Sequence, residues 1–164
     1  MSATPSPIRR ATEDDVAAIA RIVDDAYAHY VPRIGRKPMP MLDDHGARVR
    51  AGQAWVFEAA GGAVAGVLVL IDTADHLLLD NIAVDPARRG GGIGRALLQF
   101  AEPEAGRRGY AEIRLYTHEK MTENIALYGR IGYRETGRAV AVPSGLPRVH
   151  FAKRLSAGAA EIAG

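Results

Sequence analysis

Val84-Asp85-Pro86-Ala87-Arg88-Arg89-Gly90-Gly91-Gly92-Ile93-Gly94-Arg95 follows an apolar run of strand character, His76 to Val84. It precedes a stretch in which Ile93, Leu97, Phe100 and Ala101 recur at helical spacing. A strand that passes through glycines into a helix gathers bare backbone N–H groups at the positive end of the helix dipole, with no Cβ to hold an anion away. Such a loop binds phosphate or pyrophosphate. Two fingerprints are excluded. A P-loop ends in Gly-Lys-Ser or Gly-Lys-Thr, whereas Gly94 is followed by Arg95 and Ala96. A dinucleotide loop G-x-G-x-x-G counted from Gly90 or Gly92 would need its third glycine at Arg95 or Leu97. The loop does spell R-x-x-G-x-G, at Arg89, Gly92 and Gly94, after a Val-x-Pro lead-in.

Working outward, Ile8 to Ala11 reads as a short strand, and Thr12-x-x-Asp15 as a capping box opening a helix from residue 13 to about 30. Pro32, Gly35, Pro38 and Pro40 break regular structure, with a short helix predicted from Met41 to Ala51. Ala54 to Ala60 and Ala63 to Ile71 form a hairpin about Gly61-Gly62. His76 to Val84 is nearly continuous in Leu, Ile and Val and should be a central strand. The helix from Ile93 should kink or end near Ala101, because Pro103 removes a hydrogen bond. Glu112 to Thr117 is a strand and Thr122 to Ile131 a helix stopped by Gly132. Tyr133 to Val142 and Arg148 to Leu155 are the last strands. The resulting order predicts a mixed α/β (α+β) fold in a single domain, residues 1–155, with a frayed tail at 156–164.

The 164 residues, 48% hydrophobic and 24% charged, suit one globular domain with a substantial core. The longest apolar run, Ala59 to Ile71, is too short and too glycine-broken to cross a bilayer, and the N-terminus carries no secretion pattern, so a cytoplasmic protein without membrane association is expected. With no cysteine, disulfides, a thiol nucleophile and any thiolate metal site are excluded. The five histidines lie far apart in sequence, and no metal is expected. A net charge of +2, with dispersed basic residues and 6% aromatics, gives no platform for nucleic acid.

Downstream of the glycine loop stand Asn124, Ala126, Leu127, Tyr128, Gly132 and Tyr133, and together the two motifs resemble the GNAT acetyltransferases over roughly residues 77 to 133. The resemblance implies a mixed, mostly antiparallel sheet of six to seven strands flanked by about four helices. It implies acetyl-CoA as co-substrate, its pyrophosphate wrapped by Arg89, Gly90, Gly91, Gly92, Ile93, Gly94 and Arg95. The backbone of Ile82, Ala83 and Val84 would pair with the pantetheine arm where the fourth and fifth strands splay, and Asn124 would contact that arm. Pairing through the C-terminal strands as a homodimer is common in the family.

Acetyl transfer to an amine needs a held thioester, an unprotonated amine, a stabilised oxyanion and a proton for the leaving sulfur. Asn124 and Tyr128 share one face of a short helix, and a phenol of pKa near 10 keeps a proton to give; the family's matching tyrosine often does so. Asp80 has the strand parity of Ile82 and Val84 and is the candidate base, against the alternative of an Asp closing a strand-to-loop hydrogen bond. His118 and Glu119 are further candidates. The acceptor wall implied by the resemblance is the first helix and the loop to residue 45, with Tyr27, Tyr30 and Arg33, then Arg36, Lys37, Asp43 and Asp44. Their mixed charges select no substrate. A small or amino-acid-like amine stands first, a peptide N-terminus or lysine second, and a non-catalytic coenzyme A binding module third.

Overall fold

The computed structural model describes residues 6–142 and 144–155. Seven strands build one sheet in the order β1-β2-β3-β4-β5-β7-β6. They are β1 (Ile8–Arg10), β2 (Ala54–Glu58), β3 (Val64–Asp72), β4 (Leu77–Val84), β5 (Glu112–His118), β6 (Arg134–Val140) and β7 (Pro147–Arg154). All neighbours are antiparallel except β4 and β5. The predicted tail, 156–164, lies outside the described residues.

One face carries α1 (Val16–Tyr27), α2 (Tyr30–Ile34) and α3 (His45–Arg50), whose Ile19, Ile22, Val23, Tyr27, Tyr30 and Val49 pack on Val56, Val67 and Val69. The other carries α4 (Ile93–Arg107) and α5 (Thr122–Ile131) over Leu68, Leu70, Leu77, Leu79, Ile113 and Phe151. The capping box forms as read: the Asp15 carboxylate accepts the Thr12 N–H at 2.7 Å, and Arg9 pairs with both its oxygens, fastening the start of α1 to β1. The expected helix to residue 30 instead stops at Tyr27, and a separate turn of helix starts at Tyr30. Pro32 lies inside that turn rather than breaking it. As its third residue, it occupies the first turn, where an N–H has no partner to lose. The helix expected over 41–51 narrows to α3, because Asp44 caps it by accepting the Ala47 N–H at 3.0 Å.

Of the two outcomes expected at Pro103, a kink or an end near Ala101, the end does not occur. α4 runs through Pro103 to Arg107. The missing N–H would have bonded the carbonyl of Gln99, an exposed residue, and Pro103 is itself exposed, so water can serve that carbonyl. On the inner side Ala101 and Ala105 are fully buried, and Arg107 and Arg108 bracket the buried Glu104. Packing and pairing hold the last turn in place.

Two irregularities make room for a site. β4 and β5 pair only at Leu77↔Ile113 and Leu78↔Arg114, then part, so β4 beyond Leu78 has one edge without a strand neighbour. On its other edge the register jumps from Leu70↔Leu79 to Val69↔Asn81, leaving Asp80 as the extra residue of a bulge. Gly66 on β3 lets α4 approach closely: a Cβ there would sit 2.9 Å from Ile93 Cγ2 and 3.0 Å from Leu97 Cδ1.

Candidate active site

The loop after β4 turns twice through left-handed backbone, at Gly90 (φ 85°) and Gly92 (φ 79°), conformations a side chain would strain. Asp85 shapes its first half, taking the Ala87 N–H at 3.0 Å on its carboxylate. The result is a run of donors. Among the described residues, the peptide N–H groups of Gly90, Gly91, Gly92, Ile93, Gly94 and Arg95 have no protein acceptor, and intrahelical bonding begins with Ala96 N to Gly92 O at 2.9 Å. Among the described residues no carboxylate lies within salt-bridge distance of Arg88, Arg89 or Arg95. Six unpaired amides at the head of a 15-residue helix, with Arg88, Arg89 and Arg95 in the same stretch, suit a diphosphate.

A cleft of about 170 Å³ opens where β4 and β5 part. Asp80, Asn81 and Ile82 form its β4 wall, Tyr116, Thr117 and His118 its β5 wall, with Asn124 and Tyr128 of α5 between them. Tyr128 is 4% exposed and packs edge-on to Tyr133, with ring centroids 6.0 Å apart, and against Phe151. Burial, with a smaller contribution from Tyr30, pushes its phenol well above the ordinary value, so it stays protonated at neutral pH.

Asp80 reaches the cleft, but not on the face expected. Because the bulge inserts one residue, Ile82 turns into the core beneath α4, while the Asp80 carboxylate meets Arg48 of α3, with Oδ2 3.8 Å from Nη2. Burial raises the Asp80 pKa, the Arg48 charge opposes that, and Asp43 adds to it. Arg48 is itself held by Asp43, with Nε to Oδ2 at 2.9 Å and Nη2 to Oδ1 at 3.3 Å. His118 lines the cleft too, its pKa lowered by burial together with the Lys120 and Arg36 charges; Glu119 does not.

Of Tyr27, Tyr30 and Arg33 on the expected acceptor wall, only Tyr27 lines the cleft. Its hydroxyl stands 2.9 Å from Asn81 Oδ1 and 3.0 Å from the Ile82 carbonyl, and it has one proton for two acceptors. Tyr30 and Arg33 point instead to the start of α5, where Arg33 Nη1 pairs with Glu123 at 2.9 Å and reaches the Lys120 carbonyl at 3.2 Å. The Tyr30 hydroxyl, then Arg33 and His29, hold the Glu123 carboxyl at about 2. These side chains fasten α2 to α5. Arg36, Lys37 and Asp43 do line the cleft, and Asp44 caps α3. Sequence reasoning missed Arg48, Tyr116 and Arg148, which no local pattern marks; strand pairing alone brings Arg148 opposite His118.

Among the described residues no helix is long and apolar enough to cross a membrane, and no cluster of three metal-ligating side chains occurs. Residues 50–135, just over half of the chain, match the sequence model of the acetyltransferase (GNAT) domain. The [ribosomal protein bS18]-alanine N-acetyltransferase of Escherichia coli K12 is 36% identical over 74 residues, 45% of this chain and 50% of that protein. This chain thus spans about half or less of the length of the curated relatives it matches. The fold superposes on the PaiA N-acetyltransferase of Thermoplasma acidophilum, solved with coenzyme A, with a TM-score of 0.74 at 17% identity over 90% of this chain and 97% of that one. It also superposes on a putative acetyltransferase of Salmonella typhimurium, solved with acetyl-CoA, with a TM-score of 0.68 at 23% identity over 91% and 93%. The glycine loop, the splayed strands and the family match agree: the chain belongs to the GNAT acetyltransferases, whose acetyl donor is acetyl-CoA.

Proposed function

We propose that the protein transfers the acetyl group of acetyl-CoA to the primary amine of a small or amino-acid-like acceptor by direct attack. The observation that carries this is the run of six unpaired peptide N–H groups, Gly90 to Arg95, at the end of a strand whose free edge leads to Tyr128 and Asp80. Bound acetyl-CoA supplies the activated acyl group. The loop amides, aided by Arg89 and Arg95, hold the diphosphate, and the β4 backbone at Ile82 to Val84 and Asn124 orient the arm.

An acceptor amine arrives as an ammonium ion and must lose a proton before it can attack. Asp80, directly or through water, takes that proton. A base with a raised pKa suits the task better than an ordinary carboxylate, since it competes more strongly for the proton. Tyr128, kept neutral by burial, donates its proton to the departing sulfur. With no cysteine in the chain an acetyl-cysteine intermediate is excluded, which supports direct attack.

Likeness to a ribosomal-protein alanine N-acetyltransferase supports a second acceptor class, a peptide N-terminus. Thiol release from acetyl-CoA, measured over a panel of amines, amino acids and peptides, tests both. Acceptor-dependent release is expected; a panel that never exceeds background hydrolysis, with acetyl-CoA binding intact, would leave only a coenzyme-binding module.

A further inference from the structure

We propose that the acceptor carries an anionic group, a carboxylate in its commonest form, and that Arg36, Lys37 and Arg148 clamp it while the amine lies toward Asp80. The inference rests on the acetyl-transfer reading and names the substrate class of that same cleft. Along the sequence, acidic and basic residues of the acceptor region alternate without order, but the fold sorts them. Arg48 is taken up by Asp43 and Asp80, so this trio in the cleft lining carries two negative charges against one positive. Arg36, Lys37 and Arg148 line the same cleft, and among the described residues none has a carboxylate within salt-bridge distance.

Arg148 has a fixed place, and the backbone carrying Arg36 and Lys37 is bounded on both sides. The Arg148 guanidinium lies over the Tyr116 ring, 4.1 Å from its centroid, at a position paired with His118 across β5 and β7. Arg36 and Lys37 follow the left-handed Gly35 that ends α2 and run into the buried Pro38. Three like charges around one opening repel each other unless an anion lies among them, and a guanidinium binds a carboxylate through two parallel N–H donors. A dipolar molecule, ammonium inward and carboxylate outward, matches the cleft at both ends.

Two sources offer this chemistry: the α-carboxylate of a free amino acid, or an acidic side chain next to a peptide N-terminus. The test compares kcat/KM, per unprotonated amine, for L-alanine against L-alaninamide, L-leucine against L-leucinamide, and C-terminally amidated Ala-Asp against Ala-Asn. An acid-to-neutral ratio of at least ten is expected. If it appears in the first two pairs the source is the α-carboxylate, and if in the third it is the peptide side chain. The ratio should fall several-fold in Arg148→Gln and in Arg36→Gln/Lys37→Gln. Ratios near one in all three pairs would overturn the proposal, as would a preference that both variants retain.

A binding measurement separates this failure from that of the transfer reading. Calorimetry on the coenzyme A-loaded protein compares N-acetyl-L-alanine with N-acetyl-L-alaninamide, and C-terminally amidated N-acetyl-Ala-Asp with N-acetyl-Ala-Asn. At least tenfold tighter binding of the acid in either pair supports the clamp even if no amine is ever acetylated, in which case the transfer reading alone falls. Equal binding in both pairs sinks the clamp and leaves acetyl transfer standing.

Discussion

Arg48 Nη2 lies 3.8 Å from Asp80 Oδ2, close enough for its charge to act on Asp80 while Asp43 holds the guanidinium in place. Burial raises the Asp80 pKa and Arg48 restrains that rise. Replacing Arg48 by Gln should therefore move the acidic limb of the kcat/KM profile to higher pH. The sign for stability follows as well. A folded-state pKa above the unfolded one favours folding only below the unfolded value, and that benefit is lost as pH rises through the folded pKa. Ionised Asp80 thus costs stability at neutral pH, and Asp80→Asn should raise Tm at pH 7 but not at pH 3 while lowering turnover. An Asp80→Asn enzyme whose acidic limb is unmoved would acquit it as the base.

Tyr128 is packed by Tyr133 and Phe151, so removing its oxygen alone leaves the ring contacts in place. Tyr128→Phe should lower kcat by about 100-fold, in the range of lost general-acid catalysis, and change the KM for acetyl-CoA far less. Equal turnover in the two proteins would remove the hydroxyl from the mechanism.

A carboxylate at Gly92 would stand among the loop's donors, and its backbone would be held at φ 79°. Gly92→Glu should weaken acetyl-CoA binding at least tenfold by calorimetry and cost about 1 kcal/mol of stability from the left-handed strain. Wild-type affinity would contradict the diphosphate anchor.

Gly66 permits the contact of α4 with β3, since its Cβ would overlap Ile93 Cγ2 at 2.9 Å. Gly66→Ala should destabilise the fold by about 1–3 kcal/mol, typical of an overfilled core. Urea denaturation measures this, and Ile93→Ala in the same chain should recover part of the loss.

Glu123 has its carboxyl held at about 2 and anchors α2 to α5. A depressed pKa contributes stability above the unfolded value, lost as pH falls through the folded one. Glu123→Gln should lower Tm at pH 7 and converge on the wild type as pH approaches 2. The pair is exposed, so the loss should be under about 1 kcal/mol.

The sequence was most readable where local chemistry decides. The glycine loop, the Gly61-Gly62 hairpin and α5, which ends at the left-handed Gly132, stand where expected because turn and cap residues act on their own neighbours. Reading failed where a second element intervenes. The parity assigned to Asp80 missed the bulge, which exists only through the pairing of β4 with β3. Pro103 predicts a kink or an end near Ala101, yet burial of Ala101 and Ala105 and the pairing of Glu104 carry α4 past it. Tyr30 and Arg33 looked like substrate contacts until α5 was found beside them. Arg48 and Arg148, a hundred residues apart in the chain, meet one cleft only after the sheet is assembled.

Peptide amides, unlike side chains, are the same whatever residue bears them. A grip made of them survives most substitutions, provided Gly90 and Gly92 keep their left-handed turns. The proposed acceptor pocket has no such protection, being made of side chains from the loop after α2, from α3 and from the start of β7. Mutation can therefore redirect what is acetylated while leaving the handling of the thioester untouched, which makes this chain a ready starting point for selecting new acceptors.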